Sequence, residues 1–314
     1  MRCGMDKDLL DLTCLSRCEL TGLLDLADEV KANPRKYAES LKGRTLLMMF
    51  EKPSLRTRLS FEVGMTQLGG HAIYYDLSTS PMGRKESVAD TARTASRYVD
   101  LIMARLFSHS QLVELAGNAS VPVINALTDY SHPCQVLADL QTLRERKERL
   151  GGLKLAYLGD GNNNVTHSLL VGCPLAGVDV SVGCPKGRGY QPAKEVLEEA
   201  RKIAVRLGSS VEVTHDAAEA VRGADAVYTD SWMSYHIPKS RKAERVKALK
   251  PFRVTAKIMS NAMGDAVFMH CLPAMRGMEV TAEVIDGPRS VVFDEAENRL
   301  HIQKALMLRL LGVA

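Results

Sequence analysis

Ser54-Leu55-Arg56-Thr57-Arg58 sets two hydroxyls and two guanidinium groups within five residues, directly after an apolar run, Thr45-Leu46-Leu47-Met48-Met49-Phe50. The run reads as a strand, and the amphipathic stretch that follows, through Gln67, reads as a helix. The pentapeptide therefore lies at a helix start, where free backbone N–H groups and the positive end of the helix dipole favour an anion. A phosphate held there needs no metal. The same residues also suit a plainer role, solvated arginines on a capped helix.

Other polar residues fall at similar places. Arg105 follows the apolar run 101–104, Asp160 follows 153–158, Asp230 follows 226–229, and Cys271 follows 267–270. Ligands of open α/β sheets bind outside the carboxyl ends of the strands, so this set suggests a cleft between two domains. In His132-Pro133-Cys134-Gln135, the proline suits the first position of a helix and places His132 at its cap. An imidazole there, beside arginines, is biased toward its neutral form and can donate to a carbonyl. Gln135 lies one turn on, with an amide to offer.

Gly159-Asp160-Gly161-Asn162-Asn163-Asn164 after a strand invites comparison with the dinucleotide fingerprint, but Asn164 stands where its third glycine belongs. The asparagines instead put amides at a helix start, suited to a carboxylate or amino group. A G-x-x-x-x-G-K-[ST] loop and H-E-x-x-H are both absent, and the eight histidines are dispersed. The expectation is a site without metal or cofactor.

The elements that must position these residues alternate. A capping box, Ser16-Arg17-Cys18-Glu19, opens an amphipathic helix with Leu20, Leu23, Leu24, Ala27 and Val30 on one side. Strands are expected near 45–50, 72–75, 101–104 and 121–125, then near 153–158, 179–183, 210–213, 226–229 and 267–270, with helical patterns between. A last strand over 290–293 would lead into a helix over 295–311. Such alternation predicts an α/β protein with doubly wound parallel sheets. The charged stretch 144–149 running into Gly151-Gly152 marks a boundary: domains 1–150 and 151–294, followed by the C-terminal helical stretch 295–314.

The 314 residues accommodate two domains of about 150 each. Lysines and arginines are scattered at a net charge of +4, which favours a small anionic substrate over nucleic acid. Seven cysteines without a C-x-x-C pair read as reduced thiols. With no apolar run of membrane-spanning length and charges throughout the first twelve residues, the expectation is a cytoplasmic protein without membrane contact.

Phe50-Glu51-Lys52-Pro53-Ser54-Leu55-Arg56-Thr57-Arg58, His132-Pro133-Cys134-Gln135, His270-Cys271-Leu272-Pro273 and Glu295-Ala296-Glu297-Asn298-Arg299, taken in order, resemble the carbamoyltransferases, and the ornithine-specific branch most closely. The resemblance implies two α/β domains with the last helix packed on the first, a homotrimer, and transfer of the carbamoyl group of carbamoyl phosphate to L-ornithine. It assigns Ser54, Leu55, Arg56, Thr57, Arg105, His132, Gln135, Cys271, Leu272 and Arg299 to carbamoyl phosphate. It assigns Asn164, Asp230, Ser234 and Tyr235 to the amino acid, and chemistry to Arg105, His132 and Cys271. Cys271 and the Leu272 carbonyl would orient the attacking amine, with the Leu272-Pro273 bond cis.

Three positions depart from the family pattern. Leu55 replaces the usual threonine and removes a hydroxyl, leaving a backbone N–H. Pro81 stands where many relatives carry a glutamine that reaches the neighbouring subunit. Tyr235-His236 replaces Met-Gly after Ser234, in the loop expected to close on the acceptor. Trp232 and Cys134 read as packing. Another amine acceptor, or a non-catalytic phosphate-binding relative, are the alternative functions.

Overall fold

The computed structural model describes residues 7–79, 82, 85–187, 189–233 and 237–313. Pro81, Ser234, Tyr235 and His236 lie outside the described residues. The chain forms two compact units, Met1–Gln141 with Glu297–Ala314, and Thr142–Ala296.

In the first unit, helix α1 (Arg17–Ala32) starts at the expected capping box: Glu19 N–H donates to Ser16 Oγ, and Ser16 N–H to Glu19 Oε2 at 2.8 Å. Its five expected core residues are all buried. There follow β1 (Thr45–Phe50), α2 (Leu55–Gln67), β2 (His71–Asp76), α3 (Val88–Ala95), β3 (Leu101–Arg105), α4 (His109–Asn118), β4 (Val123–Leu127) and α5 (Pro133–Lys147). The sheet is parallel in the order β2-β1-β3-β4. The chain moves from β1 to β2, then returns to the other side of β1 to add β3 and β4. The direction therefore switches between β1 and β3, where a parallel sheet opens a crevice at its carboxyl end.

Right-handed crossovers put α2 on one face and α3 and α4 on the other. The second face is sealed by Met49, Val88, Ala92, Ile102, Leu112 and Leu115. On the first, the end of the C-terminal helix α12 (Val292–Leu310) packs against α2. A Cβ at Gly64 would lie 3.3 Å from Met307 Cε and 3.5 Å from Leu300 Cδ1, so a glycine permits that close approach. Lys31 Nζ reaches Asn298 Oδ1 at 2.8 Å and ties α1 to the same helix.

The second unit contains β5 (Lys154–Leu158), α6 (Asn164–Ala176), β6 (Asp179–Gly183), α7 (Lys194–Leu207), β7 (Val211–Thr214), α8 (Ala217–Val221), β8 (Ala226–Thr229), α9 (Lys242–Leu249), α10 (Ala256–Met259), β9 (Val267–Met269) and α11 (Ala282–Ile285). Its sheet is parallel in the order β7-β6-β5-β8-β9. Here the switch falls between β5 and β8. Helix α6 is buried along nearly its whole length, and Gly177 ends it in the left-handed region at φ 77°.

The strand expected over 290–293 does not form. Ser290 makes a single bridge to Phe268, with Val291 N–H donating to the Phe268 carbonyl at 3.0 Å, and α12 begins at Val292. Asp294 and Glu295 in its first turn favour the helix through the dipole, which overrides the short β-branched run. No helix among the described residues is long and apolar enough to cross a membrane. The six described cysteines are free thiols.

Candidate active site

At the switch point of the first sheet, β1 ends in Phe50 and β3 in Arg105, register partners across the crevice. Ser54 caps α2: its Oγ accepts from Thr57 N–H at 3.3 Å and lies 3.1 Å from Thr57 Oγ1. The buried Thr57 hydroxyl also accepts from Arg105 Nη1 at 3.2 Å and Arg299 Nη2 at 3.4 Å. Two buried guanidinium groups thus meet at one hydroxyl beside a helix start. Such a concentration of buried positive charge is costly without an anion.

Gln135 orients the second arginine. Its Oε1 accepts from Arg299 Nη1 at 2.6 Å while its Nε2 donates to Asp139 Oδ1 at 2.8 Å, which fixes the amide. His132 is buried at the start of α5. Burial, and then the charges of Arg299 and Arg105, push its imidazole well below the usual histidine range, so it stays neutral. The helix start and the neighbouring arginines already point to the neutral form in the sequence; burial is the larger cause.

Arg56 is half-buried, with no hydrogen bond or ion pair among the described residues. Arg58 corrects the expectation that both arginines of the pentapeptide converge. It pairs with Glu62 at 2.8 Å, one turn along α2, and lies over the Tyr74 ring at 4.3 Å. The Leu55 side chain is 70% exposed, so only its backbone remains at the helix start.

Lys52, within the stretch Phe50–Arg58, has no role that its sequence position alone assigns. It is buried with its ammonium 4.2 Å from the Phe107 ring centroid, and burial, then Arg105, lower its affinity for a proton. Its position one residue before Pro53, just past a strand end, was the available signal.

In the second unit, the loop after β5 is held by its own side chains. Asn163 caps α6, accepting from Thr166 N–H at 2.8 Å and donating to Tyr157 Oη at 2.7 Å and to the Asp160 carbonyl at 2.8 Å. Asn164 follows, half-buried in the first turn. Asp160 is not open to a ligand as expected: its buried carboxylate pairs with Arg245 and accepts from Asn162 N–H at 3.0 Å.

Beyond the switch, Asp230 follows β8 and accepts from the Cys271 thiol at 3.1 Å and from Ser231 N–H at 2.6 Å. Trp232 and Cys134 are fully buried, as their packing roles require. Cys271 and Leu272 follow β9. The Leu272-Pro273 peptide is cis, and Leu272 sits at φ 55°, a region that costs a branched side chain about 1–2 kcal/mol.

That loop is pinned from beneath. His270 N–H donates to Glu295 Oε2 at 3.0 Å, and Leu272 N–H donates to His270 Nδ1 at 2.8 Å. His270 therefore carries its proton on Nε2, 3.6 Å from Glu279 Oε1. Asp230, His270 and Cys271 bring one carboxylate, one imidazole and one thiol within 4.8 Å. With Nδ1 already accepting and Nε2 turned to Glu279, this set is arranged as a thiol–carboxylate pair on a buried support.

Residues 7–145 match the family described as "Aspartate/ornithine carbamoyltransferase, carbamoyl-P binding domain", and residues 151–310 the one described as "Aspartate/ornithine carbamoyltransferase, Asp/Orn binding domain". The chain is 52% identical over 308 residues to the ornithine carbamoyltransferase of Carboxydothermus hydrogenoformans, covering 98% of each. It is 54% identical over 304 residues to that of Methanothermobacter thermautotrophicus, covering 95% of this chain and 98% of the relative. The solved ornithine carbamoyltransferase from Pyrococcus furiosus superposes with a TM-score of 0.94 at 47% identity, covering 98% of this chain and 97% of that one. With both halves matched and half the residues shared along the full length, the chain belongs to the aspartate/ornithine carbamoyltransferase family.

Proposed function

We propose that the protein transfers the carbamoyl group of carbamoyl phosphate to the δ-amine of L-ornithine, giving L-citrulline and phosphate. The observation that carries this reading is the meeting of Arg105 and Arg299 on Thr57 at the start of α2, a charge distribution matched to a phosphate dianion. Ser54, the Leu55 N–H, Arg56 and Gln135 complete the donor site. The names of the full-length relatives supply the acceptor.

Asp230 and Asn164 hold the amino acid's ammonium and carboxylate groups, and Ser234 and Tyr235 are assigned to the same substrate. The Leu272 carbonyl and the Cys271 sulfur, whose proton goes to Asp230, accept hydrogen bonds from the attacking amine and leave its lone pair free. As nitrogen attacks the carbonyl carbon, its oxygen becomes an oxyanion, which Thr57, Arg105 and neutral His132 stabilise by donation. The C–O bond to phosphate then breaks, the electron pair leaves with phosphate, and the proton lost by the nitrogen passes to that departing phosphate. No cofactor enters the balance.

The attacking amine must be neutral. With a pKa of about 10.4, roughly 0.4% is neutral at pH 8, a penalty of about 3 kcal/mol. The site selects that form.

We place the protein in the cytoplasm and assign it a homotrimer. Supporting the second point, Leu55, Leu59 and Val63 form an exposed apolar stripe along α2. Calorimetric titration with a bisubstrate mimic, a phosphonate-bearing carbamoyl analogue joined to the ornithine δ-nitrogen, tests both halves. Binding should weaken in Arg105→Ala and, separately, in Asp230→Asn. Unchanged affinity in either variant removes that half of the assignment.

A further inference from the structure

We infer that Arg245 is a positioning residue for the amino-acid acceptor, acting through one guanidinium that bonds both acceptor-side loops. The inference rests on the assignment of Asp230 and Asn164 to the acceptor and goes beyond it, since Arg245 lies outside that set and nothing in the run of lysines and arginines from 239 to 253 distinguishes it by sequence.

Arg245 sits on α9 and is only 4% exposed, unlike its neighbours Arg241, Lys242 and Lys247. Its Nη2 pairs with the Asp160 carboxylate, and both side chains are nearly withdrawn from solvent. Its Nε donates to the Trp232 carbonyl at 2.9 Å, two residues beyond Asp230. Its guanidinium carbon lies over the Tyr190 ring, 5.2 Å from the centroid. Tyr190 in turn accepts from Gly161 N–H through its carbonyl at 2.8 Å, in the same loop as Asp160.

The contacts divide between two loops. Asp160 governs the loop after β5: its side chain accepts from Asn162 N–H, and its carbonyl accepts from Asn163 Nδ2 and from Thr166 Oγ1 at 3.0 Å. That loop delivers Asn164. The Trp232 carbonyl belongs to the loop after β8, which delivers Asp230 and, through it, the Cys271 thiol. A single planar fork with a fixed angle between its donors therefore sets the spacing of the two loops across the switch point. A lysine has one donor centre and cannot span both acceptors in the same plane. The packing leaves little slack: a Cβ on Gly161 would come within 2.6 Å of the Tyr190 carbonyl oxygen.

Breaking a buried ion pair by removing one partner strands the other charge, so Arg245→Gln alone mixes loss of folding stability with loss of position. The test therefore uses Arg245→Lys and the double variant Asp160→Asn/Arg245→Gln, which leaves no unpaired charge, with Asp230→Asn as the reference for the acceptor site. Steady-state kinetics with ornithine and carbamoyl phosphate varied separately, beside thermal unfolding, gives the readout. We expect the ornithine KM to rise at least tenfold in both, the carbamoyl phosphate KM to stay within twofold, and Arg245→Lys to keep thermal stability near the parent's without keeping its ornithine affinity.

If Asp230→Asn leaves the ornithine KM unchanged, the acceptor assignment fails. If Asp230→Asn raises it while both clamp variants stay within twofold of the parent, the assignment stands and the role of Arg245 is overturned. A fall in unfolding temperature with both KM values unchanged, or a parallel rise in both, likewise reduces Arg245 to a structural residue.

Discussion

At the scale of single residues, the donor site is a problem of charge held out of water. Arg105 and Arg299 are 7% and 3% exposed and share one hydroxyl oxygen. In the proposed donor site Arg105→Ala removes half of a matched pair around the dianion, so kcat/KM for carbamoyl phosphate should fall by about 2–5 kcal/mol, roughly 30-fold to several thousand-fold. Steady-state kinetics checks the range, and a loss under fivefold contradicts it. His132 gives a pH signature. Its proton affinity is lowered by burial first and by the arginines second. The unfolded chain therefore binds a proton that the native state refuses, so stability is present above the ordinary histidine range and is lost as pH falls through about 6.5. In urea unfolding at pH 7.5 and 5.5, His132→Gln should lose less stability on acidification than the parent. Because His132 stays neutral, kcat/KM for ornithine should follow the amine and climb toward pH 9; a flat profile from pH 6 to 9 is inconsistent with selection of the neutral amine.

At the scale of elements, strand ends decide which residues meet. The alternation of short apolar runs with amphipathic stretches was enough to read nine strands and the carboxyl ends that carry Ser54, Arg105, Asp230 and Cys271. Two things were not legible. The run at 290–293 has β-branched residues but becomes the start of α12, because backbone pairing with Phe268 ends after Val291 and acidic residues follow. Arg58 has the chemistry of a ligand yet pairs with Glu62 one turn along its own helix and lies over Tyr74, a contact that depends on β2 lying beside α2. Glu295 shows the converse. Its Oε2 accepts from His270 N–H at 3.0 Å and its Oε1 from Tyr228 Oη at 3.2 Å, so the first turn of α12 supports the Cys271 loop. Glu295→Ala leaves that buried N–H unpaired and should cost about 1–3 kcal/mol in denaturant unfolding. A value near zero means the loop does not depend on it.

At the scale of the whole molecule, sequence alternation predicted two parallel sheets, and resemblance to a family predicted the return of the last helix to the first unit. Both are present, the return resting on Gly64 opposite Met307 and on Lys31 with Asn298. What the pattern could not convey is which buried charges pair: Asp160 reads as a site acid, yet its partner is 85 positions away on α9. The exposed stripe of Leu55, Leu59 and Val63 fits subunit contact, so sedimentation should give a mass near three times 34.4 kDa, and Leu59→Glu should shift it toward the single chain. A monomeric parent contradicts the trimer.

The central claim is the identity of the acceptor, and the most direct measurement is product formation from carbamoyl phosphate with ornithine, putrescine, lysine and acetylornithine compared at one pH. Ornithine should give citrulline and phosphate in equal amounts, with kcat/KM at least a hundredfold above the others. In the proposed assignment Asp230 binds a free α-ammonium group, which putrescine lacks and acetylornithine blocks. Preference for any other amine, or no turnover of ornithine by protein that still binds carbamoyl phosphate, would contradict the account.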